Sequence, residues 1–284
     1  MLTVLQAINL STEYLEKKGI ESSRLNAELL LASILTCKRF DLYLKFDQPL
    51  KENEISLYRE YIARRGKFEP LQYITCEVEF YGLNFKVSSA VLIPRPETEI
   101  LVELIINKYK DKPGLTVLDI GTGSGNIPVA LAKNLPGSKI VTIDISEEAL
   151  IVAKQNAELN GVTENIEFIQ QDIFNNSFPN NFHFDLIVSN PPYVEKNEYG
   201  NLQEEIVNYE PRIAVTDEGD GYSFYKRIVE ISKIHLKPGG ELYFEMAKGQ
   251  SNQITSILES SGLKEIKIIK DYLQIERVIC GEKI

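Results

Sequence analysis

The sequence predicts an α/β fold in which a mainly parallel sheet carries helices on both faces. A small helical bundle and a β-hairpin linker precede this sheet. Three observations predict this order: apolar residues at helical spacing before about residue 68, β-forming residues in 69–92, and short β-rich runs that alternate with helical stretches after about residue 114. We therefore expect three parts, with the boundaries 1–68, 69–92 and 93–284.

The composition is that of a globular protein, with 43% hydrophobic and 25% charged residues among 284. No apolar run reaches the roughly 18 residues of a membrane helix, and the first residues lack the pattern of a secretory signal. The formal net charge is −10 and its whole excess lies in residues 91–284, which disfavours tight non-specific binding to nucleic acid. Three widely spaced cysteines and two isolated histidines predict no metal site and favour a reduced, cytoplasmic setting.

The first part is predicted to be a helical bundle that packs its own core. A helix from about Glu52 to Arg65 places Ile55, Tyr58 and Ile62 on one stripe. Such a stripe predicts packing and does not say what the bundle recognises.

The second part, residues 69–92, is predicted to be a hairpin with Gly82 and Asn84 as turn residues. Directly after it, the segment Pro94-Arg95-Pro96-Glu97-Thr98-Glu99 opens a helix. A proline at the first helical position followed by acidic residues favours a helix start.

The third part is predicted to hold the parallel sheet. Five strands are expected at Thr116–Ile120, Lys139–Ile145, Ile166–Asp172, Phe184–Ser189 and Glu241–Met246, with two further candidates near Glu265–Ile269 and Arg277–Cys280. Helices such as Glu147–Asn160 and Ser223–His235 fall between them. In a sheet of this kind ligands bind beyond the carboxyl ends of the strands, so residues at those ends are the candidate site residues.

A glycine-rich loop, Asp119-Ile120-Gly121-Thr122-Gly123-Ser124-Gly125-Asn126, follows the first of these strands. Glycines let the backbone turn sharply and approach a ligand closely. The third glycine falls at position 125, where the dinucleotide fingerprint GxGxxG would need it at 126. The loop therefore predicts a nucleotide-type site other than the full dinucleotide motif, and the alternative is an ordinary tight turn.

Acidic residues end the next two strands. Asp144 lies at the end of the second strand, where a carboxylate can accept bonds from both ribose hydroxyls of an adenosine, although it could also be a helix N-cap. Asp172 lies at the end of the third strand and suits an adenine amino group, with Ile173 and Phe174 as apolar contacts to the ring. Asp172 alone is a weak signal, because aspartate is common in turns after strands.

The sharpest signal is Asn190-Pro191-Pro192-Tyr193, which closes the fourth strand. Two successive prolines lack backbone N–H groups and have fixed φ angles, so the carbonyls of Asn190 and Pro191 are free of ladder bonding and held in place. The Asn190 side chain adds an acceptor and Tyr193 offers an aromatic face. The tetrapeptide therefore predicts a rigid pocket for a planar NH2 group, and the alternative is a proline-rich turn that leaves the sheet.

Taken together, the glycine loop, Asp144 and the Asn-Pro-Pro-Tyr tetrapeptide resemble class I, Rossmann-like S-adenosylmethionine-dependent methyltransferases that act on a planar NH2 nitrogen. Within that class, further segments resemble the HemK/PrmC-type protein-(glutamine-N5) methyltransferases. These segments are Glu69–Thr75, Phe80–Leu83, Leu92–Glu99, Tyr209–Pro211 and Glu276–Val278. The resemblance spans nearly the whole chain, including the small N-terminal helical domain. A departure lies at residues 271–276, where many members of the family have a glycine-containing stretch, and no role is assigned to these residues.

The resemblance implies methylation of the glutamine in the Gly-Gly-Gln motif of peptide-chain release factors, and so a role in translation termination. It implies S-adenosylmethionine as cofactor, S-adenosylhomocysteine as product, and recognition of the protein substrate by residues 1–68. The expected catalytic residues are Asn190, Pro191, Pro192 and Tyr193. Cofactor contacts are expected from Gly121, Thr122, Gly123, Ser124, Gly125, Asp144, Asp172, Ile173 and Asn190.

Two other functions remain open from the sequence. An adenine-N6 methyltransferase of nucleic acid would meet the same planar NH2 group, but the acidic third part and the lack of an evident basic stripe argue against it, and we expect no direct nucleic-acid partner. The second alternative is a non-catalytic module that binds an adenosine nucleotide, or a dehydrogenase. The offset third glycine argues against NAD, and the intact tetrapeptide argues against an inactive enzyme.

Overall fold

The structure, a computed structural model, describes residues 2–175 and 182–284. They fall into two compact units, one of Met1–Glu77 with Gln203–Tyr209 and one of Val78–Leu202 with Glu210–Ile284. This division lies inside the segment predicted as a linker, and the predicted boundaries at residues 68 and 92 stay predictions.

The first unit is helical. Its helices are α1 (Val4–Lys17), α2 (Ser23–Ile34), α3 (Glu52–Arg65), α4 (Leu71–Thr75) and, much later in the chain, α8 (Glu204–Tyr209). The predicted stripe of α3 is buried at Ile55, Tyr58 and Ile62, as its spacing indicates. The prediction of β structure from residue 69 onward is wrong at its start, because α4 occupies the segment that includes the β-branched Thr75.

Arg65, at the end of α3, ties the late helix α8 into this unit. Its side chain is 5% exposed and donates to Asn26 Oδ1 at 2.7 Å and to Glu205 Oε1 at 2.5 Å. The Tyr209 hydroxyl adds a bond to the carbonyl of Lys67 at 2.8 Å. A planar guanidinium can serve several acceptors at once, which explains how one side chain joins segments 140 residues apart.

The second unit is built on a short hairpin and a seven-stranded sheet. The hairpin strands are β1 (Glu77–Phe80) and β2 (Leu83–Lys86), and the sheet strands are β3 (Thr116–Ile120), β4 (Lys139–Asp144), β5 (Ile166–Gln170), β6 (Phe184–Ser189), β7 (Leu236–Glu245), β8 (Leu263–Lys270) and β9 (Glu276–Lys283). The strand order is β5-β4-β3-β6-β7-β9-β8. Strands β3 to β7 run parallel and β9 pairs antiparallel with both β7 and β8, so the predicted mainly parallel sheet is confirmed.

Helices cover both faces of the sheet, as predicted. They are α5 (Pro96–Tyr109), α6 (Asn126–Asn134), α7 (Glu147–Leu159), α9 (Ser223–His235) and α10 (Ser251–Ser260). One buried cluster includes Leu101, Val129 and Ala157 from α5, α6 and α7, and the other includes Ile228 and Ile254 from α9 and α10. Among the described residues, no helix has both the length and the apolar character of a membrane span.

The order in which successive strands are added to the sheet reverses between β3 and β6. From β3 the order runs through β4 and β5 on one side, and through β6 and β7 on the other. A crevice opens beyond the carboxyl ends of the strands at such a switch point. The loops after β3 and β6 therefore face each other across this crevice.

Candidate active site

A cavity of about 810 Å³ lies at the carboxyl ends of β3 to β6 in the second unit. Eight of the twelve sequence-predicted site residues line it: Gly121, Gly123, Asp144, Asp172, Ile173, Asn190, Pro191 and Pro192. The other four, Thr122, Ser124, Gly125 and Tyr193, are not among its lining residues. Loops from four successive strands thus meet at one cavity, as the strand-end rule predicts.

The glycine loop divides into residues that face the cavity and residues that pack the fold. Gly123 has a φ of +52° and donates its backbone N–H to Asp144 at 2.9 Å. Gly125 has a φ of +79°, and a Cβ there would lie 3.0 Å from the Cβ of Ala153. The third glycine therefore allows close packing of α6 on α7, and Thr122 and Ser124 are buried beside it at 3% and 2% exposure.

Asp144 is held in place by backbone donors at the end of β4. Its two carboxylate oxygens accept from Gly123 N at 2.9 Å and from Ser146 N at 3.0 Å. Burial raises the pKa of this carboxyl, while those backbone N–H groups act in the opposite direction. Because a carboxylate has about four lone-pair sites, Asp144 retains acceptor capacity for hydroxyl groups of a ligand. The helix N-cap role that was the alternative belongs to Ser146, whose hydroxyl accepts from Ala149 N at 3.1 Å.

The loop after β5 supplies an apolar wall that is formed by one buried and one exposed side chain. Ile173 is 5% exposed, whereas Phe174 is 47% exposed and packs edge-on against Phe224 with ring centroids 5.0 Å apart. All three line the cavity. Asp172 bonds to the backbone N–H of Phe174 at 2.8 Å and to the side chain of Asn175, so its carboxylate shapes its own turn. This wall can enclose a flat aromatic ligand.

The Asn-Pro-Pro corner after β6 lies directly beside the glycine loop. The hydroxyl of Ser189 donates to the carbonyl of Ile120 at 2.7 Å, which links the ends of β6 and β3. The Asn190 side chain donates from Nδ2 to the Thr98 hydroxyl at 3.2 Å. Asn190, Pro191 and Pro192 therefore present a rigid edge to the same cavity as Asp144.

Tyr193 lies behind the corner. Its hydroxyl is 3.5 Å from Glu245 Oε1, and its ring packs against the cluster of α9 and α10. Burial, followed by the charge of Glu245, raises the pKa of this hydroxyl. The expected aromatic face thus supports the corner from inside the fold, because its ring is not part of the cavity wall.

Two segments singled out in the sequence brace the start of α5. Glu210 accepts from the backbone N–H of Ile93 at 3.1 Å and from the Arg95 guanidinium. Arg277 lies 3.7 Å from Glu97. These contacts bring the 92–99, 209–211 and 276–278 segments together in space at the start of α5.

The comparisons with known proteins agree with this architecture. A family model described as "PrmC N-terminal domain" matches residues 6–75, and one described as "Methyltransferase domain" matches residues 111–275. A release factor glutamine methyltransferase of Fusobacterium nucleatum is 41% identical over 98% of this chain and 78% of its own length. Proteins of the same name from Rhodopirellula baltica and Chlorobaculum tepidum are 39% and 37% identical, over 99% and 97% of this chain and 96% and 95% of their own lengths.

The chain belongs to the release factor glutamine methyltransferases. Among solved structures, the hMettl16 catalytic domain in complex with MAT2A 3'UTR hairpin 6 has a TM-score of 0.57 at 19% identity, covering 82% of this chain and 83% of that chain. A methyltransferase from Pyrococcus furiosus has a TM-score of 0.52 at 22% identity, covering 72% and 90%. These two likenesses concern the fold, and they confirm the predicted Rossmann-like methyltransferase architecture.

Sequence reasoning missed several residues that line this cavity. Arg212, Ile213 and Glu218, from the segment between β6 and α9, line the cavity. The Arg212 guanidinium lies 4.3 Å from the centroid of the Tyr199 ring and pairs with Glu218. The Tyr209–Pro211 segment noted in the sequence ends directly before Arg212, and Pro211 also lines the cavity, but no sequence signal extended to these three residues. Within the described ranges, no group of three or more His, Cys, Asp or Glu side chains is placed to hold a metal ion.

Proposed function

We propose that this chain transfers a methyl group from S-adenosylmethionine to the side-chain amide nitrogen (N5) of the glutamine in the Gly-Gly-Gln motif of peptide-chain release factors. One observation carries the proposal: Asn190, Pro191 and Pro192 line the same cavity as Gly121, Gly123 and Asp144. A corner suited to an amide and a loop suited to an adenosine group thus share one space. The names of the relatives support the choice of substrate.

The cavity fits S-adenosylmethionine by its shape and its donor set. Its size, about 810 Å³, is within the usual range for small-molecule sites. Asp144 would accept from the ribose hydroxyls, the backbone of Gly121 and Gly123 would lie against the ligand, and Asp172 with Ile173 would meet the adenine. Thr122, Ser124 and Gly125 would act by shaping this loop. When bound, the cofactor supplies a methyl group on a positively charged sulfur.

The residues of the corner act on the amide by position. An amide nitrogen is a poor nucleophile because its lone pair is delocalised, and the tetrapeptide holds no histidine, cysteine or lysine that could be a strong base. The Asn190 Oδ1 and the Pro191 carbonyl would accept the two amide hydrogens, orient the nitrogen, and stabilise the positive charge that develops on it. Alignment of two reactants can supply about 7–11 kcal/mol. The nitrogen would bond to the methyl carbon as the bond from that carbon to sulfur breaks, S-adenosylhomocysteine would leave, and the nitrogen would lose one proton to water. Pro192 and Tyr193 would keep the corner rigid.

The substrate assignment can be tested by offering release factor, DNA and RNA side by side with labelled S-adenosylmethionine. We expect label only in the release factor, and mass spectrometry of its tryptic Gly-Gly-Gln peptide should show one added methyl group on glutamine. Label in adenine of either nucleic acid, with none in the release factor, would overturn the proposal.

The role of the corner is tested by Asn190→Ala. This variant should lose most turnover on a Gly-Gly-Gln peptide while calorimetry still detects binding of S-adenosylhomocysteine. Near wild-type kcat in this variant would contradict the assigned role.

We also propose that the helical unit docks the protein substrate. Its surface exposes Phe40 and Leu44, at 76% and 88% exposure, on the 3-10 segment Arg39–Lys45. Replacing both by serine should raise KM for intact release factor and leave KM for a short Gly-Gly-Gln peptide unchanged. Equal effects on the two substrates would contradict docking. The proposal implies a cytoplasmic location, because release factors act on ribosomes.

A further inference from the structure

Behind the Asn-Pro-Pro corner lies a buried carboxylate with no role in the function proposed above. Glu245 is the last residue of β7 and is 2% exposed. It accepts a bond from the Thr98 hydroxyl at 2.6 Å, and Thr98 is itself 1% exposed on the first turn of α5. Thr98 in turn accepts from Nδ2 of Asn190 at 3.2 Å. Two consecutive hydrogen bonds therefore connect the buried carboxylate of Glu245, through Thr98, to Asn190 in the cavity wall.

The direction of this chain is set by the carboxylate. An ionised carboxylate only accepts hydrogen bonds, so the single O–H of Thr98 must donate to Glu245. The lone pairs of Thr98 Oγ1 then remain for Asn190, whose NH2 group can donate to them. A reversed Asn190 amide would place Oδ1 against those lone pairs, with no hydrogen between the two oxygens. The chain therefore fixes Nδ2 toward Thr98 and leaves Oδ1 for a ligand in the cavity.

The orientation of Asn190 decides which side chain the corner accepts. A glutamine carboxamide offers two N–H hydrogens and matches an outward Oδ1. A glutamate carboxylate offers only lone pairs and would need an outward NH2 group instead.

We propose that Glu245, acting through Thr98, is a positioning residue that fixes the polarity of the Asn190 amide and so makes the site selective for glutamine over glutamate. This inference rests on the proposed function.

The protonation of Glu245 predicts that selectivity and turnover depend on pH. Burial raises the pKa of this carboxyl to about 7, which the Thr98 hydrogen bond partly opposes. The other ionisable groups that face it are Glu97, whose charge adds to the rise, Arg277 and Tyr193, which lower it, and Tyr225, whose hydroxyl donates to the Glu245 backbone carbonyl. A protonated Glu245 can donate to Thr98, which frees the Thr98 proton and removes the constraint on Asn190. Selectivity and turnover should therefore fall as the pH drops through about 7.

The test compares Thr98→Val, which keeps the side-chain shape without the hydroxyl, with Thr98→Ser, which keeps the hydroxyl. Calorimetry at pH 8 with S-adenosylhomocysteine present measures the affinities for a Gly-Gly-Gln and a Gly-Gly-Glu peptide, and steady-state kinetics measures kcat for the first. We expect Thr98→Val to lower kcat and the ratio of the two affinities about tenfold each. Thr98→Ser should recover most of both, and the affinity for S-adenosylhomocysteine should stay the same.

The outcomes separate this inference from the proposed function. If the wild-type protein methylates no glutamine, the proposed function fails. If it does methylate glutamine and Thr98→Val keeps the wild-type affinity ratio, the positioning role is wrong. Should Thr98→Val fail to fold by circular dichroism, Glu245→Gln replaces it: in this variant, activity and selectivity should no longer decrease below pH 7, and a decrease equal to that of the wild-type protein would overturn the proposal.

Discussion

Gly221 allows the loop before α9 to lie against the backbone at the end of the Asn-Pro-Pro-Tyr corner. It has a φ of +77°, and a Cβ at this position would lie 2.6 Å from the carbonyl oxygen of Tyr193 and 3.2 Å from Nε2 of Gln250. The same Gln250 atom donates to that carbonyl at 3.1 Å. Any side chain at residue 221 must therefore displace the backbone that follows the two prolines.

Gly221→Ala should destabilise the second unit through two separate effects. An alanine in the left-handed region costs about 1–2 kcal/mol, and overpacking against fixed backbone costs about 1–3 kcal/mol. Gly161→Ala is the matched control, because Gly161 has a φ of +69° and nothing lies within 4 Å of its Cβ position. Since the backbone strain is common to both variants, the difference between them, about 1–3 kcal/mol, measures the close approach alone.

Urea unfolding followed by circular dichroism measures this difference, because the chain has no tryptophan for fluorescence. With a urea m-value of about 3 kcal/mol per M, a difference of 2 kcal/mol separates the midpoints by roughly 0.7 M. Turnover on a Gly-Gly-Gln peptide should fall in Gly221→Ala and persist in Gly161→Ala. Equal midpoints and equal turnover in the two variants would show that a glycine at residue 221 is not needed for the close approach of the Tyr193 carbonyl.

Three further predictions concern other parts of the chain. Asp144→Asn replaces one acceptor oxygen by a donor, so calorimetry should show about 10–100-fold weaker binding of S-adenosylhomocysteine, in line with about 1.5–3 kcal/mol for a bond to a charged group; unchanged affinity would contradict the ribose role. Burial raises the pKa of the Asp119 carboxyl to about 7, so its contribution to the free energy of unfolding is complete below about pH 4 and is lost as the pH rises through 7. Asp119→Asn should remove up to about 1.4 kcal/mol per pH unit of that slope in urea titrations between about pH 4 and 7, and an unaltered slope would show that this carboxyl is not the source. Arg65→Met leaves Glu205 without its partner and should cost the first unit about 1–3 kcal/mol, whereas Arg59→Met, at an exposed position of the same helix, should cost less than about 0.5 kcal/mol.

The part of the site that sequence could predict is the part that follows strand ends. Gly123, Asp144 and Asn190 each lie at or within three residues of the end of an apolar β-rich run, and parallel strands bring such positions to one edge. The strands themselves were predictable because buried parallel strands form short continuous apolar runs. Strand β6 was predicted with its observed bounds, and β3 likewise.

Contacts between distant segments could not be predicted in this way. Thr98 and Asn190 are 92 residues apart, and Thr98 and Glu245 are 147 apart, so no local periodicity connects them. Strand β7 was expected to begin at Glu241, but it begins at Leu236, because a register shift lets β7 pair with β6 across a proline-glycine segment that alone indicates a turn. The helical Leu71–Thr75 is likewise a case in which tertiary packing overrides local β propensity.

The register of β3 against β6 sets the geometry of the proposed reaction. Ile120 pairs with Ser189, and the residues that follow these two begin the glycine loop and the Asn-Pro-Pro corner. Adjacent strands are only about 4.8 Å apart, so the two loops start within one strand spacing of each other. A slip of one residue would turn the side chains of one strand to the opposite face, and it would also break the bond from the Ser189 hydroxyl to the Ile120 carbonyl. In the proposed reaction, the core of the sheet would therefore set the distance between the methyl donor and the substrate amide, while Thr98 and Glu245 would set only the orientation of the Asn190 amide. Substitutions in the core should consequently change the affinities for the Gly-Gly-Gln and Gly-Gly-Glu peptides together, whereas substitutions at Thr98 should change the ratio of these two affinities.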